Sequence, residues 1–134
     1  MQTIQQLQDK FITDTESVIK DFEKFKILSE DQINWKPSQE KWSIAECVDH
    51  LIVTNKLYLK EFEKQFGEKR IKTDCSKTEV MHRWLSKFIM KSVDPSNSKK
   101  VNTFAVFMPS TSNHSKKVLD EFSDLQNKLI NLLR

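Results

Sequence analysis

Apolar residues recur at spacings of three and four in four separate stretches of this 134-residue chain, and that periodicity narrows the folds open to it. Ile4, Leu7, Phe11, Val18, Phe22, Phe25 and Leu28 predict a long amphipathic helix over residues 4–28, opened by a capping box between Thr3 and Gln6. Asp14 and Asp21 break its seven-residue pattern, which argues against a long uninterrupted coiled-coil seam. Ile44, Cys47, Val48, Leu51, Tyr58, Phe62 and Phe66 predict a second helix from Ile44 to Phe66, closed by Gly67 as a left-handed C′ residue. Val80, Met81, Trp84, Leu85, Phe88 and Ile89 predict a shorter one over residues 78–91, stopped by Asp94 and Pro95. Val118, Phe122, Leu125, Leu129, Ile130 and Leu133 predict a last helix from about Ser115 onward.

Composition agrees with an all-α chain. A single glycine and three prolines leave little room for an all-β sandwich or a glycine-rich nucleotide loop. The length suits one domain over residues 1–134, with one core. No apolar run approaches the roughly 20 residues needed to span a bilayer, so no membrane association is expected. MQTIQQLQDK lacks the basic-then-apolar pattern of a secretory signal. Cys47 and Cys75 lie outside any C-x-x-C spacing, and the reading is a reduced, cytoplasmic protein. The net charge is +3, with lysines clustered in residues 64–72 and 95–117. Such runs are most often solvated loops, and nucleic acid is not an expected partner.

Between the first two long helices the chain is unusually specific. Ser29 to Gln32 suggests a short helical turn, Trp35 follows, and Pro37 pushes Lys36 towards an extended conformation. Ser43 and Glu46 form a second capping box, with Trp42 and Cys47 placed as a hydrophobic staple. Trp35 and Trp42 plug the bundle end, or contact a ligand there. His50 falls about two turns into the helix, roughly 120° from the centre of the apolar stripe, where it can face an interhelical space. From the residues alone it is either a structural histidine or a ligand position. His82 has no histidine or acid four residues away and reads as a surface or packing residue. His114 is expected to be solvent-exposed or part of a cap. Val101 to Pro109 is expected to be extended, with Phe104 and Phe107 tacking it onto the core.

Trp35, Pro37, the Trp42-Ser43-Ile44 run, Glu46 and the His50-Leu51 pair resemble the DinB/YfiT-like superfamily of small four-helix proteins. The resemblance implies an up-and-down bundle with a long crossover through Val101 to Pro109. It also implies a divalent metal, zinc or nickel, with His50 as one of three ligands. The other two would lie four apart on a last helix, but no His-x-x-x-His occurs in this chain. The fourth bundle helix is therefore expected to be absent from it. Three bundle helices alone would leave an open apolar groove, so the chain is expected either to be shortened or to complete its bundle with another chain.

Two functions follow as expectations. By resemblance, the chain would be a metal-dependent hydrolase or thiol transferase, using metal-activated water or thiol on a small-molecule substrate. Alternatively it is a metal-free helical binding module acting as a homodimer. One histidine cannot hold a catalytic metal strongly, so metal is expected to be absent or weakly bound in this chain alone. No Ser/His/Asp motif, phosphate-binding loop or paired catalytic carboxylates rise above chance.

Overall fold

The computed structural model describes residues 3–66, 91, 96 and 102–134. The expected connection and helix over 67–91, apart from Lys91 but including Gly67 and His82, lie outside the described residues. What is described is helical: α1 (Ile4–Phe22), α2 (Glu30–Asn34), α3 (Ile44–Phe66) and α4 (Lys117–Leu133). The all-α expectation holds.

Both predicted capping boxes form. The Gln6 N–H donates to Thr3 Oγ1 at 3.2 Å while Gln6 Oε1 accepts from the Thr3 N–H at 3.0 Å. Ser29 and Gln32 repeat the arrangement at the start of α2, with distances of 3.2 and 2.8 Å. The first helix is not continuous to residue 28. It tightens after Phe22 into a 3₁₀ turn, Glu23–Ile27. Residues three apart eclipse in that geometry, and Phe22 and Phe25 sit with ring centroids 5.4 Å apart. The crossover also departs from a purely extended path, because Ala105–Phe107 forms a 3₁₀ turn between extended Phe104 and Met108.

α4 is the shared partner of the other long helices: α1 and α3 both pack against it. This is why it buries Val118, Leu119, Phe122, Ser123, Leu125, Gln126 and Ile130, more than one face of a helix. Its direction relative to α3 follows from three side-chain pairs. Asp49–His114 at 3.8 Å, Lys56–Glu121 at 2.5 Å and Glu63–Lys128 at 3.2 Å each join residues 65 apart in sequence. A constant separation means that α3 and α4 run parallel, and parallel neighbours need a crossover to return the chain. α1 runs the other way: Glu16 meets Arg134 at 2.7 Å, whereas Phe22 meets Phe122 at 4.5 Å.

The core comprises Phe22, Ile33, Ala45, Val48, Ile52, Leu59, Val118, Leu119, Phe122 and Leu125. Two predicted stripes are redistributed. On α3 the buried line is Ala45, Val48, Ile52 and Leu59, while Leu51, Tyr58 and Phe62 are exposed. On α1 Phe22 is buried, but Leu7, Phe11 and Val18 remain exposed. The physical reason is common to both. Leu7, Phe11 and Phe62 line the space between α1 and α3. An apolar groove of about 430 Å³ opens there, lined by Ile4, Leu7 and Phe11 of α1, Phe62 of α3, and Leu129, Leu132 and Leu133 of α4. No described helix is long and apolar enough to cross a membrane.

Candidate functional site at the start of α3

The N-terminal half of α3 is positioned by the predicted capping box. The Glu46 N–H donates to Ser43 Oγ at 3.1 Å, and Glu46 Oε2 accepts from the Ser43 N–H at 2.8 Å. Its second oxygen binds the Lys36 ammonium at 2.6 Å, tying the tryptophan loop to the helix start. Burial pushes the Glu46 carboxyl up. The Lys36 hydrogen bond and charge, with the Ser43 N–H, outweigh that and hold it below the usual range. Trp42, immediately ahead of the cap, lies against His50, with ring centroids 5.2 Å apart and planes at 45°. Trp35 is largely exposed and does not plug the bundle end.

One turn into α3, two adjacent residues seize the crossover. His50, half-buried, has Nδ1 at 2.5 Å from the Phe107 carbonyl oxygen. Asp49 is buried, and its Oδ2 accepts from the Ser110 N–H at 2.5 Å and from Ser110 Oγ at 2.7 Å. The expected apolar tack is therefore only half correct. Phe107 is half-buried, but Phe104 is 73% exposed, and polar bonds hold the segment to α3.

His114 is buried, not exposed, and it caps no helix. Its Nε2–H donates to the Thr111 carbonyl at 3.0 Å, 3.8 Å being the distance from the same nitrogen to Asp49 Oδ2. Its backbone is gripped by Asn34, whose Oδ1 accepts from the His114 N–H at 2.9 Å and whose Nδ2 donates to the His114 carbonyl at 2.7 Å. Burial follows from this pairing with α2, which no periodicity in residues 110–116 reveals. Asp49 had a readable signal: it lies four residues after Ala45 and three before Ile52, an acid on the buried line.

The chemistry of this end follows from its donors and acceptors. A carbonyl only accepts, so His50 Nδ1 carries the proton towards Phe107, and the neutral ring keeps its lone pair on Nε2. Ser110 gives its hydroxyl proton to a carboxylate, not to an imidazole, so Ser110, Asp49 and His114 form a clamp and not a nucleophilic triad. Partial burial of the Cys47 thiol, and then the Glu46 charge beside it, push that thiol up, so it is protonated near neutral pH and a poor nucleophile. A metal-ligating histidine characteristically donates its other nitrogen to a carbonyl or carboxylate, and His50 fits one such position. A catalytic zinc takes about three protein ligands, and among the described residues no three His, Cys, Asp or Glu side chains gather to hold a metal. The described donor set is thus short of a complete centre.

A family profile described as the DinB superfamily matches residues 14–134. No curated protein and no solved structure matches the chain. The profile spans both capping-box loops, the His50 turn, the crossover and α4, so the chain belongs to the DinB superfamily.

Proposed function

We propose that the chain is a DinB-type helical protein whose ligand-facing atom is His50 Nε2, in the line of metal-dependent hydrolases or thiol transferases that act on small molecules. One observation carries this reading: His50 Nδ1 is engaged by the Phe107 carbonyl at 2.5 Å, which leaves Nε2 as a lone-pair donor in the neutral ring. A zinc or nickel ion, when bound, would supply a Lewis acid that makes hydroxide or thiolate available near neutral pH. The residues of this chain hold His50 in place: Trp42 packs against its ring at a tilt and the crossover fixes its nitrogen. Two further ligands would have to come from beyond the described residues. The test is metal per chain by elemental analysis after loading with zinc and nickel, beside His50→Ala. About one metal per chain, lost in the variant, supports the reading. A metal-free wild-type protein overturns it.

A second reading, a metal-free binding module acting as a homodimer, is supported by a different observation. The apolar groove between α1 and α3 lies at the end of α3 away from His50, around Phe62. Sedimentation equilibrium of the wild-type chain separates the two: a tight dimer without metal supports the module, and a monomer with stoichiometric metal excludes it.

A further inference from the structure

The Phe107 carbonyl can set the His50 proton only if the crossover holds it in place, and apolar packing does little of that work. Phe104, Val106 and Met108 are 73, 59 and 45% exposed. The firm attachment is three residues further on, where the Ser110 N–H and hydroxyl both donate to Asp49 Oδ2 at 2.5 and 2.7 Å. The Asp49 side chain is only 10% exposed, so water competes poorly for its oxygens, and bonds to an ionised acceptor are the strong kind. Consecutive residues of α3 therefore hold both ends of the stretch from Phe107 to Ser110. Fixing one end at Asp49 restricts where the carbonyl at the other end can lie.

We propose that Asp49 and Ser110 are positioning residues that lock His50 as the Nδ1–H tautomer, so that Nε2 is presented to a Lewis-acidic or proton-donating ligand. The inference rests on the reading of His50 Nε2 as the ligand-facing atom, but the tautomer can be measured with no ligand present. Neither residue touches the ligand. Each acts through the carbonyl of Phe107.

The experiment is two-bond ¹H–¹⁵N imidazole spectroscopy on the full, metal-free chain, at a pH about two units above the ordinary histidine value of roughly 6.5. His50→Gln identifies the His50 signals by their loss. In the wild-type protein, His50 should show a protonated Nδ1 and an unprotonated Nε2. Ser110→Ala, which removes one of the two donors to Asp49 Oδ2, should bring in a measurable fraction of the Nε2–H form, and Asp49→Ala a larger one. Zinc affinity, where zinc binds, should fall about 10-fold or more in Asp49→Ala, the size usual for loss of an outer partner. Should Asp49→Ala fail to fold, Ser110→Ala decides. A wild-type Nε2–H tautomer overturns the proposal, as does a tautomer unchanged in the folded variants. Failure of the metal reading looks different: no metal binds, while the spectra respond to the variants as expected.

Discussion

Lys36 and Glu46 meet at 2.6 Å across the start of α3, and the same carboxylate closes the helix cap through the Ser43 N–H at 2.8 Å. One buried acid thus joins the tryptophan loop to the helix that carries His50. Because its folded pKa is lowered, the ionised form is favoured by folding, and the stabilisation is present above the unfolded glutamate value of about 4.3. It is lost as pH falls through the lower folded value. Glu46→Gln should therefore flatten the acid limb of a urea-stability profile between neutral and strongly acid pH. Glu46→Ala should in addition cost about 0.5–2 kcal/mol at neutral pH, the usual range for losing a cap. Parallel wild-type and Glu46→Gln acid limbs would show that this carboxylate is not a source of the pH dependence.

Phe22 and Phe122 form the tightest aromatic contact between α1 and α4, with centroids 4.5 Å apart and both residues buried. Phe122→Ala should lose about 3–5 kcal/mol, the transfer term plus the cavity left behind. Phe104→Ala, at a residue 73% exposed, should stay within about 0.5 kcal/mol of wild type. Urea midpoints at constant slope measure both. Equal losses at the two positions would mean that the crossover packs on the core after all.

The contrast between these phenylalanines marks the limit of what periodicity can reveal. Local signals were legible. Capping boxes need only residues three apart, and the two expected at Thr3 and Ser43 formed, while Ser29, read only as the start of a helical turn, closes a third. Helix type and the extent of α3 were also readable, because 3.6-residue spacing is a property of one segment. Which side of a helix meets its neighbour is not local. Leu51 and Ile52 are equally apolar, yet Ile52 is 2% exposed and in the core while Leu51 is 43% exposed. His50 was found through the company it keeps in sequence. Its partner Phe107 is 57 residues away and contributes a backbone carbonyl, an atom every residue possesses. Ser110 and His114 were illegible for the same reason: their partners Asp49 and Asn34 lie 61 and 80 residues away.

Gln126 is 7% exposed on α4, and its Nε2 finds no hydrogen-bond partner among the described residues. An unsatisfied buried amide costs roughly 1–3 kcal/mol, whereas an apolar side chain of similar size carries no such penalty. Gln126→Met should raise stability by about 1 kcal/mol, read as a higher urea midpoint. A lower midpoint would mean that the amide serves a polar contact worth more than its burial costs.

The groove between α1 and α3 gives the sharpest association test. Leu7 and Phe11 are 37 and 45% exposed, and Phe62 across the groove is 44% exposed, so both walls present apolar surface to solvent. On the same helices Lys10 pairs with Asp14, Glu16 with Arg134, and Glu63 with Lys128. A second copy offers the same apolar walls, as a self-complementary twofold contact requires. Under the homodimer reading, Phe11→Glu would bury a carboxylate against its symmetry mate and should weaken self-association by at least about 10-fold, since an unpaired buried charge costs well over 1.4 kcal/mol. Because Phe11 lies off the core, circular dichroism and the urea midpoint of the dilute variant should change little. Sedimentation equilibrium over a range of loading concentrations measures the association directly. A wild-type chain that stays monomeric at its highest attainable concentration, or a dimer indifferent to Phe11→Glu, removes the groove as the contact between copies.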